Sequence, residues 1–172
     1  MKKAVLTFGL ISGAVAVGLL LATLPFINTH DLGKADTLGY TSMVLSALIV
    51  YFGVRSYRDV GASQITFGRA FAAGCLITLV SCACYMLAFQ IIYFGAMPDF
   101  GEKFAECMIE RARASGAAPD EIAETARQAQ ALKQMYDRPA TNAALTFATT
   151  FPIGLIASVI SAVILRKKKE RK

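Results

Sequence analysis

The chain has 172 residues, 55% of them hydrophobic and 17% charged, with a formal net charge of +6 and a single histidine. A soluble domain needs polar faces on its helices to meet water, and this composition leaves too few polar residues to supply them. The charge does not indicate nucleic-acid binding, because the basic residues cluster between and beyond apolar stretches rather than along one amphipathic face.

Four stretches, residues 4–27, 38–54, 70–96 and 142–165, contain no Asp, Glu, Lys, Arg or His, with Arg69 at the entry to the third. Crossing a bilayer core takes about 20 helical residues, with a range of roughly 17–25, so each stretch is read as a span. The expected architecture is one all-α membrane domain over residues 1–172.

The first stretch follows Lys2 and Lys3, as a signal peptide would. It exceeds the usual apolar core of about 7–15 residues and no A-x-A-like cleavage site follows it, so it is expected to remain as a span, with Pro25 near its outer end. Gly9 and Gly13 form a GxxxG pair, and Ala14, Gly18 and Ala22 a second small-residue row. Both rows are expected to let neighbouring helices approach closely within the bundle. His30 then sits beside Asp31 in a short loop with Lys34, without a nucleophile or metal ligand nearby in sequence.

After the second stretch, Arg55, Tyr57, Arg58, Asp59 and Arg69 gather in a short connection. Ordinary anchoring of basic residues at the membrane surface accounts for them. The sharper expectation is a lipid-headgroup site: the arginines grip phosphate, Tyr57 lies at the interface and Asp59 orients one guanidinium. Thr66 is expected to cap the third helix, and Gly61 and Gly68 to let the chain turn tightly.

In the third stretch Cys75, Cys82 and Cys84 are expected to pack as small apolar residues. Cys107 lies outside the spans, and its reactivity is open. The stretch also holds Thr78, Ser81, Tyr85, Gln90 and Tyr93, the last two near its outer end where polar and aromatic anchors are ordinary.

Residues 98–141 form the one sizeable segment built for water. Phe100, Phe104, Cys107 and Met108 make an apolar stripe at helical spacing, with Glu102, Glu106 and Glu110 on another face. Ser115, Gly116, Ala117 and Ala118 break the pattern. Pro119 suits the first position of a second helix, Asp120 and Glu121 favour its N-terminal dipole, and Ile122, Ala126, Ala129, Leu132 and Tyr136 continue it. A helical hairpin is expected, its acidic stripe a solvated face and not a metal site, because no His or Cys joins the carboxylates.

In the fourth stretch Gly154, Ser158 and Ala162 repeat the four-residue spacing of small residues. Pro152 should loosen this helix near Thr149 and Thr150, whose hydroxyls can serve freed carbonyls. Arg166, Lys167, Lys168, Lys169, Arg171 and Lys172 follow. With Lys2, Lys3, Arg55, Arg58 and Arg69 they put eleven basic residues on one side of the membrane, against Lys34, Lys103, Arg111, Arg113, Arg127, Lys133 and Arg138 on the other. The positive-inside rule then places both termini in the cytoplasm and the hairpin outside.

LGYTSM at 38–43, FGVRSYRD at 52–59, ITFGRAF at 65–71, MPDF at 97–100, TF at 146–147 and FPIGLIASVISAVIL at 151–165 occur in this order. In this combination the chain resembles the bacterial family called domain of unknown function 4199, nearly end to end. The resemblance implies a small integral protein of the bacterial inner membrane, with four spans and a helical extracytoplasmic segment, and implies no activity. It also implies a Glu shortly before the FP pair. Here Thr149 stands in that region, which weakens any role for an intramembrane carboxylate.

The function expected on these grounds is a non-catalytic membrane component that binds lipid or protein. A small transporter or channel is the alternative, with Gln90, Tyr93 and Thr149 as its intramembrane polar candidates, and a membrane enzyme ranks last. No catalytic residue, metal or cofactor is expected. The expected partners are membrane lipids, anionic ones included, and a second copy of the chain or another membrane protein, but not nucleic acid.

Overall fold

The computed structural model describes residues 2–28, 32–60 and 65–166. His30, Asp31, Gly61 and the basic run from Lys167 to Lys172 lie outside them, as do the side chains of Lys2 and Lys34. The described residues form six helices: α1 (Lys2–Asn28), α2 (Leu32–Val60), α3 (Phe67–Ile91), α4 (Phe100–Ala114), α5 (Pro119–Tyr136) and α6 (Pro139–Leu165). A π-helical turn, Ile92–Ala96, extends α3. No strand occurs among the described residues.

Four helical segments are long and apolar enough to cross a membrane: Lys3–Phe26, Thr37–Asp59, Phe67–Ala96 and Pro139–Leu165. Each of the last three runs beyond the uncharged stretch that marks it in sequence, because charge-free composition delimits a membrane core while helical hydrogen bonding continues into the interface. Around the bundle the neighbours are α1–α2, α2–α6, α6–α3 and α3–α1, with α2 and α3 also touching across it.

Lipid is as apolar as leucine, so what draws these helices together is close backbone approach and polar pairing. Gly9 and Gly13 do pack as expected. A Cβ at Gly9 would lie 2.7 Å from Val80 Cβ, and one at Gly13 would lie 2.7 Å from Cys84 Cβ, so only glycine lets α1 sit this close to α3. Gly74 and Ser158 bring α3 against α6 in the same way, and Ala162 is fully buried. The second row of α1 behaves otherwise: Ala14, Gly18 and Ala22 are exposed on its outer face, and a Cβ at Gly18 would meet nothing within 4 Å. On a helix that is apolar all round, spacing alone does not say which face turns inward.

Hydroxyls tie the spans together at mid-bundle. Ser81 donates to Ser12 at 3.0 Å, Ser12 and Ser46 share a bond of 3.3 Å, and Thr78 and Ser158 share one of 3.4 Å, so all four spanning helices take part. At one end of the bundle, Val5, Val50, Val54, Ala70, Ile77 and Leu165 belong to one apolar core. Beside it lie Arg55, Arg58 and Asp59.

At the other end α4 and α5 form the expected hairpin. Helix α4 ends in a Schellman motif: Gly116 takes φ +74°, the Ala117 amide donates to Ala112 O (3.2 Å) and the Gly116 amide to Arg113 O (3.1 Å). Pro119 opens α5, where the Glu121 carboxylate reaches back to the Ala118 amide at 3.3 Å. Phe100 and Cys107 of the α4 stripe are buried, whereas Phe104 is 39% exposed.

Candidate functional site: a cavity between the spans and the hairpin

A second apolar cluster, Tyr93, Phe100 and Cys107, packs the hairpin against the spans, and a half-open cavity lies beside it. Its hairpin-side lobe encloses about 330 Å³ and is walled by all six helices; a central lobe of about 270 Å³ lies deeper among the four spans. Ala16, Gly39, Ser42, Tyr85, Thr149 and Thr150 line both lobes, so the two adjoin along a shared wall. Such volumes fall near the lower end of the range of about 300–1,000 Å³ typical of small-molecule sites.

Six aromatic side chains help to wall the hairpin-side lobe. Tyr85 stacks on Phe89 with ring centroids 6.3 Å apart, and Phe89 meets Phe100 edge-on at 5.7 Å and Tyr136 edge-on at 6.1 Å. The π turn after Ile91 contributes to this wall. The extra residue per turn ends in a bond from the Met97 amide to Ile92 O (2.8 Å), and Tyr93 is 4% exposed while Ile91, two residues earlier, is 70% exposed.

A polar latch joins the hairpin to the spans around this lobe. Tyr93 donates to Asp137 Oδ1 at 2.8 Å, and Lys133 reaches Asp137 Oδ2 at 3.2 Å and Glu102 Oε1 at 3.7 Å. The hydrogen bond from Tyr93, reinforced by Lys133, holds the Asp137 carboxyl below the usual carboxylate range, so the latch is charged at neutral pH. Nearby, Gln90 Nε2 donates to Pro139 O at 2.8 Å and Asn142 Nδ2 to Tyr136 O at 3.0 Å, fixing the corner where α5 passes into α6.

The three polar candidates read from the spans therefore divide. Tyr93 and Thr149 line the cavity, whereas Gln90 is engaged with the Pro139 carbonyl. Thr149 and Thr150 do not serve the Ala148 carbonyl that Pro152 leaves without its usual donor. Thr149 donates to Leu145 O and Thr146 O, both at 3.0 Å, and Thr150 to Thr146 O at 2.7 Å, all further toward the N-terminus.

At the opposite end, Arg58 Nε donates to Asp59 Oδ1 at 3.0 Å, and Arg55 Nε stands 3.9 Å from Asp59 Oδ2. Tyr57 packs against the apolar core, and Arg69 is exposed near the start of α3. Thr66 occupies the N-cap position, but its hydroxyl makes no capping bond; its carbonyl accepts from Ala70 N at 3.0 Å. Gly68 lies within α3 and forms no turn.

Ser12, Ser42 and Ser46 are the site residues that sequence reasoning missed. Isolated serines in apolar helices carry no pattern of their own, and these matter only because α1 and α2 bring them to the wall of the central lobe. None of the four cysteines forms a disulfide; Cys82 lines the central lobe and Cys107 is fully buried. No group of three or more His, Cys, Asp or Glu side chains suited to a metal occurs among the described residues.

Four long apolar helices, joined by hydroxyl pairs and topped by an amphipathic hairpin, define a multi-pass membrane protein. The chain belongs to the family described as Protein of unknown function (DUF4199), whose model matches residues 7–167. No curated protein and no solved structure matches it.

Proposed function

We propose that this protein is a non-catalytic component of the bacterial inner membrane that binds an apolar membrane molecule in the cavity between its spans and its hairpin. The observation that carries this reading is the pair of adjoining, mostly apolar lobes, to which every helix contributes an aromatic ring or a hydroxyl. A concave apolar wall with a few placed polar groups is the usual form of a small-molecule site. Mass spectrometry of the protein gently extracted in its native state is expected to show a retained small molecule. Ala16→Phe is expected to abolish that retention, since Ala16 is 7% exposed and lines both lobes, so a ring in place of its methyl occupies their junction. Equal retention by wild type and Ala16→Phe would remove the reading, and substrate flux in proteoliposomes would favour the transporter alternative.

The hairpin faces outward and both termini are cytoplasmic in this proposal, on the strength of the eleven basic residues at the other end. There Arg55, Arg58 and Arg69 meet anionic headgroups, with Asp59 orienting Arg58 and Tyr57 at the interface. A reporter active only in the periplasm is expected to be silent after Lys172 and active when inserted at Gly116. The reverse pattern would invert the topology.

A further inference from the structure

We infer that the ligand of this cavity is a neutral, ring-bearing molecule with carbonyl acceptors, of the membrane quinone class, read by the hydroxyls of Tyr85 and Ser42. The inference rests on the cavity reading above and adds the chemistry of its occupant.

Most of the hydroxyls that line the cavity are already bonded. Ser12, Ser46, Ser81, Thr78 and Ser158 are paired with one another, and Thr149 and Thr150 donate to carbonyls of their own helix. Tyr85 and Ser42 are different: both line both lobes, and neither hydroxyl has a hydrogen-bond partner among the described residues. They are donors at the junction of the lobes, half-buried and open to the cavity, where a ligand's acceptor can reach them. Tyr136 supplies a third unpaired hydroxyl, from α5 and in the hairpin-side lobe alone.

A hydroxyl donor calls for an acceptor, and the setting narrows which one. The charged group at the hairpin-side lobe is Lys133, already shared between Asp137 at 3.2 Å and Glu102 at 3.7 Å. Two carboxylates against one ammonium disfavour an anionic head, which argues against a fatty acid or phospholipid at this end. The walls favour a flat ring, because Phe89, Tyr93 and Phe100 meet one another in tilted and T-shaped arrangements, which another ring can join. A ring with carbonyls at opposite ends has acceptors both for the Tyr85 and Ser42 pair and for Tyr136.

Duroquinone and durene test this directly. They share one tetramethyl ring, with and without two carbonyls, and the fully substituted quinone leaves no ring position for Cys82 to attack. With the full chain in phosphatidylcholine nanodiscs and empty nanodiscs subtracted, duroquinone is expected to bind saturably and more tightly than durene. Tyr85→Phe and Ser42→Ala are each expected to weaken duroquinone about three- to tenfold, the worth of one neutral hydrogen bond, and to leave durene unchanged. Unchanged durene binding also certifies that the variants keep the cavity. Durene bound as tightly as duroquinone, or duroquinone affinity unaltered in both variants, overturns the carbonyl assignment while the cavity reading stands. Tighter binding of dioctanoylglycerol than of duroquinone overturns the ring in favour of a lipid ester. No saturable binding of any probe overturns the cavity reading itself.

Discussion

Gly154→Val is expected to force α3 and α6 apart and to lower the thermal midpoint of the detergent-extracted protein. A Cβ at position 154 would overlap the Thr78 methyl and stand 2.7 Å from Thr78 Oγ1. Thr78 is 2% exposed, β-branched, and paired with Ser158 at 3.4 Å, so it has neither space nor an easy second rotamer. Overpacking a core costs about 1–3 kcal/mol and at times more. Here the helix also has to move, which strains the Gly74 and Ser158 contact one turn away. Gly18→Val is the matching control on α1, where a Cβ meets nothing within 4 Å and valine's better helix propensity makes the change neutral or slightly favourable. Equal midpoints for the two variants would show that α3 and α6 do not pack as described.

That contrast also marks how far the sequence could be read. Existence and number of spans follow from the absence of charge over stretches of bilayer length, and the hairpin from a stripe interrupted at Ser115–Ala118, because both are local signals. Gly154 and Gly18 each belong to a small-residue row of the same spacing, yet one row meets α3 and the other faces outward. Nothing local distinguishes them, since helices apolar on every side lack the polar face that would orient them. The cavity was hidden for the same reason. Tyr85 and Tyr93 stand out as polar residues in the third span, but the partner of Tyr93 is Asp137, 44 residues away, and Ser42 faces Tyr85's cavity only through the packing of α2 into the bundle.

Phe100→Ala is expected to undock the hairpin while leaving the four spans assembled. Phe100 is 8% exposed and its ring meets Phe89 at 5.7 Å, Tyr93 at 5.8 Å and Phe104 at 6.3 Å, joining α4 to α3 and its π turn. Truncating a buried phenylalanine costs about 3–5 kcal/mol. Of the polar ties, Lys133 to Glu102 and Asp137 lies within the hairpin and is largely exposed, and pairs of that kind contribute about 0–1 kcal/mol, which leaves Tyr93 to Asp137 as a tie to the spans. Aromatic packing therefore decides whether the hairpin docks, and Tyr93 to Asp137 decides its register. Phe104→Ala should cost less than the same change at a fully buried position, because Phe104 is 39% exposed at the cavity rim. Hydrogen exchange resolves the outcome by segment: in Phe100→Ala the amides of α4 and α5 should exchange markedly faster while those of α3 and α6 keep their protection. Faster exchange throughout the bundle would show that the spans depend on the hairpin, and unchanged exchange in α4 and α5 would show that Phe100 does not hold it.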